Sequence, residues 1–168
     1  MRARPVPGDG ADGTPMDEIR FYDPRVGAHA ALSNLHPRAM VFEGTLYRTP
    51  EHAFQVAKAA SAEMKAWLAA APTPELVAVA GDNLVPEDVV PGWEDDQLRV
   101  MERIVTAKFT EAEDLKALLL NTGTAKIVEW APEDGEVARF WGEYKGEGQN
   151  WLGRILMDLR ERLRAEAA

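Results

Sequence analysis

The ten residues TPEHAFQVAK, Thr49 to Lys58, constrain this chain more than any other stretch, because they read as the capped opening of a helix with a one-sided polar stripe. Thr49 is a suitable N-cap, Pro50 fits the first helical position, and Glu51 then falls in the first turn, where the helix dipole favours negative charge. At about 100° per residue, Glu51, Gln55 and Lys58 stand at i, i+4 and i+7, within roughly 60° of one another. Ala53, Phe54, Val56, Ala57 and Ala60 cover the rest of the surface. Such a helix buries most of its circumference, and its stripe faces either water or a pocket. Spacing alone does not separate the two, since Glu and Lys pairs are common on solvated faces.

A length of 168 residues and 46% hydrophobic content suit one domain with an ordinary core. The net charge of −9 argues against non-specific nucleic-acid binding, which rests on neutralising phosphates, but leaves room for a small nucleotide or a single modified base in DNA. The chain has no cysteine, which removes thiolate nucleophiles, disulfides and cysteine metal sites. His29, His36 and His52 lack ligand spacing, so neither a metal nor a cofactor is expected. No apolar run is long enough to span a bilayer, and the N-terminal stretch lacks the apolar segment of a signal peptide. The expectation is a soluble, cytoplasmic protein.

Residues 1–16, rich in Gly, Pro and Asp, are expected to be a disordered tail ahead of a domain over 17–168. A short strand is predicted at Ile19 to Tyr22 and a hairpin in MVFEGTLYR around Glu43 and Gly44. The helix opened by Thr49 is predicted to run towards Ala70. Thr73 and Pro74 open another, which Gly81 terminates. A helix from about Glu94 to Phe109 sets Leu98, Met101, Val105 and Phe109 on one side. TEAE, Thr110 to Glu113, has capping-box spacing and leads into a helix with Leu115, Leu118 and Leu119, stopped by Gly123. AKIVEW reads as a short strand. Glu133 to Asn150, glycine-rich and holding Trp141 and Tyr144, reads as a shaped loop. A last helix from Trp151 to about Arg164 aligns Leu152, Ile155, Leu156, Leu159 and Leu163. The fold class is a mainly helical α+β domain with a small antiparallel sheet, without the strand-helix alternation of a dinucleotide-binding unit.

The runs IRFYDP, LSNLHPRAMVFEG and TPEHAFQVAK, then PGW, VMERIVTAKF, LLLNTGTAKIVEW and WGEYKGEGQNWLGRILMDLR, resemble in the same order the blocks of the YbiA-like or NADAR family. The resemblance runs from Ile19 to Arg164. It implies an N-glycosidase acting on ribose-linked nucleotides, either phosphorylated riboflavin-pathway intermediates or ADP-ribosylated guanine. A non-catalytic ADP-ribose or nucleotide-binding module is the alternative, and an interaction protein with a solvated stripe is the third. The family's glutamate falls on Glu51, its helix lysine on Lys58, its early asparagine on Asn34, its Trp-Gly pair on Trp141 and Gly142, and its late asparagine on Asn150. The chain departs from the family at Ala53, where an aromatic is usual, and at Val90, near a common arginine position. A third departure is Asp134, seven residues before Trp141, where the family aspartate sits closer. These departures bear on substrate identity more than on reaction type.

Cleaving an N-glycosidic bond develops positive charge at the anomeric carbon, which a carboxylate stabilises or serves as base. Glu51 suits that role, and its first-turn position should favour ionisation. Lys58 either pairs with substrate oxygens or, as a neutral amine, adds to the sugar to form a Schiff base. Trp141 or Trp93 offers a stacking face for a base, although a tryptophan among apolar helical residues is more often core. Asn150 binds sugar hydroxyls or caps the last helix. Asn34 binds substrate or makes a turn. Tyr22 flanks the pocket or fills the sheet, and Gln55, Asp134 and Gly142 complete the expected binding set.

Overall fold

The computed structural model describes residues 17–168; the tail assigned to 1–16 lies outside the described residues. In chain order the elements are β1 (Glu18–Phe21), β2 (Met40–Phe42), β3 (Thr45–Tyr47), α1 (Pro50–Lys58), α2 (Ala62–Ala69), α3 (Pro74–Asp82), α4 (Trp93–Thr110), α5 (Glu113–Asn121), β4 (Lys126–Glu129), α6 (Glu136–Trp141) and α7 (Trp151–Ala167). The α+β class holds, with helices dominating. The expected hairpin is β2 and β3, paired antiparallel, and its turn places Glu43 and Gly44 at positive φ. A second two-stranded sheet, parallel, joins β1 to β4 with Ile19 opposite Ile127. Parallel pairing needs a long crossover, and all of α1 to α5 supply it.

The long helix expected from Thr49 is broken at Lys58. Ala59 turns extended and bridges Val89, Ala60 N–H donates to Asp88 O at 2.8 Å, and Val90 N–H donates to Lys58 O at 2.9 Å. Ser61 then caps a separate α2 by accepting from Met64 N–H. Sheet-like pairing with a distant segment thus overrides local helix propensity. The capping box at Thr110 is also absent: α4 runs through Thr110, and α5 is capped at Ala112 without a side-chain bond. Gly81 lies within the last turn of α3 and does not end it. The segment expected as a loop after Glu133 contains the short helix α6.

The core lies between α4, α7 and β4, where Ile104, Phe109, Leu119, Ile127 and Leu156 are fully buried. Each contributes roughly 1.5–3 kcal/mol of transfer free energy. All five apolar residues expected on the inner face of α7 are buried. Gly153 lets α7 sit flush on β4, since a Cβ there would lie 2.2 Å from Ile127 O. Among the described residues no helix is long and apolar enough to cross a membrane.

Candidate active site

The stripe of α1 faces the protein. His52, fully buried, anchors this helix: Thr49 Oγ1 accepts from His52 N–H and sits 2.7 Å from Nδ1, while Nε2 lies 2.9 Å from Ala71 O. The backbone N–H of Glu51 donates to Asn34 O at 3.1 Å, which fixes the first turn against the Ser33-Asn34 bend. One turn on, Gln55 Nε2 donates to Glu51 Oε1 at 2.9 Å and, at 3.5 Å, to Asp82 Oδ1. Lys58 Nζ donates to Gly81 O at 2.8 Å. A Cβ at Gly81 would lie 1.9 Å from Gln55 Oε1, so any larger residue there must displace the buried Gln55 side chain.

Glu51 and Gln55 line a cavity of about 230 Å³ together with Asp82 and Glu129. Asn34, Phe54, Met101, Trp130, Trp141 and Leu152 supply most of the remaining wall, and the half-exposed Tyr22 stands in its lining. Asn34 Nδ2 donates to Met101 Sδ at 3.1 Å, while its Oδ1 is buried without a partner among the described residues. Trp141 meets Phe54 edge to face, with ring centroids 5.4 Å apart. Tyr22, Asn34, Glu51, Gln55 and Trp141 are therefore brought together from four separate chain segments.

The other residues singled out in the sequence stand outside this lining. Trp93 is buried in the core 5.1 Å from Phe54. Asp134 pairs with Arg139 on the surface through Oδ1 and Nε at 2.6 Å. Asn150 takes a left-handed conformation ahead of α7 and makes no cap bond; its Nδ2 donates to Ile127 O at 2.8 Å and its Oδ1 accepts from Glu129 N–H at 3.1 Å. The side chain of Asn150 thus holds β4 and, through it, Glu129. Lys58 lies beside the cavity with its amine on Gly81 O.

Gly142 also supports Glu129 from behind. A Cβ at Gly142 would lie 2.1 Å from Glu129 O, and Glu143 N–H donates to that same oxygen at 2.9 Å. Because the obstacle is backbone, Gly142→Ala is expected to destabilise the protein by about 1–3 kcal/mol. Gly135→Ala is the control, since nothing lies within 4 Å of its Cβ position and its φ of 168° is extended. Thermal denaturation should show a fall of several degrees for Gly142→Ala and almost none for Gly135→Ala. Equal melting temperatures would show that β4 yields freely at this point.

Burial dominates the electrostatics. Desolvation pushes Glu51 up to about 7; the charge of Asp82 adds to the rise, and the Gln55 hydrogen bond and Lys58 oppose it. The ionisation expected from the first-turn position does not prevail, because a helix end contributes only about 0.3–1 kcal/mol at a surface site. Glu129 is likewise raised to about 7 by desolvation and by the Glu51 charge, with Lys108 opposing. Asp82 is raised by burial, while Lys58 and Gln55 lower it. Burial, then Arg38, lower Lys108 to about 7; its Nζ donates to Ser33 O at 2.8 Å, and it thereby holds the bend that carries Asn34.

Sequence reasoning missed Glu129, Asp82 and Lys108. Glu129 closes β4 on the same face as the buried Ile127, two residues earlier, but a carboxylate at the end of a short strand reads as an ordinary solvated side chain. Only the fold brings it to the same cavity as Glu51.

A family model described as the NADAR domain matches residues 20–164. The chain is 34% identical over 150 residues to the N-glycosidase YbiA of Escherichia coli (strain K12), covering 88% of this chain and 89% of that one. It is 38% identical over 100 residues to the chloroplastic riboflavin biosynthesis protein PYRR of Arabidopsis thaliana, covering 57% of this chain and 16% of that protein. The NMR structure of E. coli YbiA superposes with a TM-score of 0.79 at 31% identity, over 90% of this chain and 88% of that one. On the extent of the family match and the identity to full-length relatives, the chain belongs to the NADAR domain family.

Proposed function

We propose that this chain is an N-glycosidase that hydrolyses the bond between a base and ribose in a nucleotide-like substrate. The observation that carries the reading is the pair Glu51 and Glu129, two carboxyl groups from different elements on one cavity, both raised to about 7. Groups poised near the working pH are suited to move protons, and two that repel each other's charge share a proton between them.

In the step we infer, the bond from C1′ to the base nitrogen breaks and its electron pair leaves with the base. The protonated carboxyl, Glu129, gives the base its proton. The ionised carboxylate, Glu51, stabilises positive charge at C1′ and takes the proton of the water whose oxygen bonds to that carbon. The products are free base and ribose with a hydroxyl at C1′, and each carboxyl has exchanged one proton. Trp141 offers a face to the base. Lys58 acts electrostatically, since its amine is held on Gly81 O and its charge favours ionised Glu51. Within this reaction, a riboflavin-pathway intermediate or ADP-ribosylated guanine is the substrate; relatives named for riboflavin biosynthesis support the former.

The test is incubation with phosphorylated aminopyrimidine ribosides, NAD-derived nucleotides and ADP-ribosylated guanine in single-stranded DNA, followed by mass spectrometry. Release of free base is expected from one class. Recovery of an intact bound ligand without turnover would replace the enzyme by a binding module.

A further inference from the structure

The cavity has no cation in its wall, but an arginine stands at its mouth. No lysine, arginine or histidine is among the described lining residues, and Lys58 Nζ and Lys108 Nζ are held on Gly81 O and Ser33 O, each at 2.8 Å. Tyr22, Asp82, Pro132 and Val137 are the exposed members of the lining, so they mark where it opens to solvent. Arg25 lies in the segment that follows Tyr22, and its Nη1 donates at 2.5 Å to Glu75 Oε1 on α3. Glu75 is one turn before the lining residue Ala78, and residues i and i+3 are neighbours on a helix surface, so the guanidinium bridges two sides of the opening. The segment that carries it is braced: Arg25 N–H donates to Asp23 Oδ1 at 2.8 Å, and Pro24 O lies 2.6 Å from His36 Nδ1. Arg20, before Tyr22, is already committed, since it pairs with Glu18 and its guanidinium carbon lies 4.2 Å from the ring centroid of Trp130. In Arg25, by contrast, Nε and Nη2 have no partner among the described residues.

We propose that Arg25 receives the 5′-phosphate of a phosphorylated riboside at the mouth of the cavity, exchanging Glu75 for the phosphate, while base and ribose occupy the interior. A phosphate monoester carries close to two negative charges at neutral pH, and its oxygens match the fork of a guanidinium with two parallel N–H donors. The pair it displaces is weakly held, because Arg25 and Glu75 are each nearly half exposed and an ion pair in water contributes little. A carboxylate that occupies the fork in the empty site also keeps the guanidinium extended across the opening, ready for a stronger acceptor. Turnover as a readout of this contact rests on the N-glycosidase reading; binding does not.

The experiment compares kcat/KM for an aminopyrimidine riboside and for its 5′-phosphate in the parent, Arg25→Met, Arg25→Lys and Glu75→Gln, at low and high ionic strength. The parent should prefer the phosphate. Arg25→Met should lower the ratio of phosphorylated to unphosphorylated kcat/KM by about tenfold, equivalent to about 1.4 kcal/mol. Arg25→Lys keeps the charge without the fork, so its ratio should fall between those two. Glu75→Gln removes the competing carboxylate and should raise the ratio. Added salt should lower the parent's ratio towards that of Arg25→Met. Because each protein serves as its own control, a partly unfolded variant lowers both rates and leaves the ratio readable. A parent without preference for the phosphate, or a ratio unmoved by Arg25→Met, overturns the proposal. So does an equal fall in Arg25→Met and Glu75→Gln, which would mean that the ion pair only holds the loop. If the parent turns over neither compound, the N-glycosidase reading fails by itself. Calorimetric Kd values for the two intact compounds then give the same ratio, and a ratio that Arg25→Met leaves unchanged overturns the phosphate contact separately.

Discussion

Glu51→Gln is expected to fold as the parent does and to lose at least about a hundredfold in turnover, the scale of a missing acid-base or charge-stabilising group. The substitution keeps the side chain's length and an oxygen that accepts from Gln55 Nε2, so the link from α1 to Asp82 survives. It removes the only group on α1 that both lines the cavity and titrates. Stability provides the control. The carboxyl has a folded pKa of about 7 against an ordinary 4.5, so the folded state holds its proton more tightly than the unfolded state. Its favourable contribution is complete below about pH 4.5 and is lost as pH rises through 7. Above that, the buried charge is a penalty, and Glu51→Gln lifts it. The melting temperature of the variant relative to the parent should therefore rise from about pH 5 to about pH 8, while activity stays low throughout. Wild-type turnover by the variant would detach the α1 stripe from the chemistry.

Helix starts were the most legible part of this fold, because their chemistry is local. Thr49 and Thr73, each followed by proline, cap helices through their own hydroxyls, and the inner face of α7 follows its 3.6-residue period. Interruptions made by distant partners were not legible: nothing near Lys58 announces that residues 88–90 will pair with Ala59 and Ala60 and end α1. The candidate site divides in the same way. Glu51, Gln55 and Asn34 belong to compact motifs, and the family resemblance marked Glu51, Asn34 and Trp141. Glu129 carries no local signal, since a carboxylate closing a short strand is unremarked until the fold sets it beside another. Asn150 and Gly142 were marked as positions that matter, but their geometry engages the backbone of β4. Both hold the backbone of β4 that carries Glu129, and a motif read from sequence does not separate such a contact from ligand binding.

Glu129→Gln should cost at least about a hundredfold in turnover and, unlike a purely structural change, should alter the pH dependence in a defined way. On the proposed mechanism the rate requires one proton on the Glu51 and Glu129 pair, so activity is expected to be bell-shaped around neutrality, with limbs that belong to the pair and not to either residue alone. Below the bell both carboxyls are protonated and the base is lost; above it both are ionised and the acid is lost. In Glu129→Gln the carboxyl assigned to protonate the leaving base is gone, and the residual rate should rise with pH to a plateau as Glu51 ionises. The backbone should not move, because Glu129 N–H is held by Asn150 Oδ1 and its carbonyl by Glu143 N–H. A riboside whose base departs without needing a proton should recover most of the lost rate in Glu129→Gln, since the missing acid is then irrelevant. That substrate should give no comparable recovery in Glu51→Gln, where the charge at C1′ is still unsupported. A Glu129→Gln profile that keeps both limbs, or equal rescue of the two variants by the activated substrate, would remove Glu129 from the role of acid.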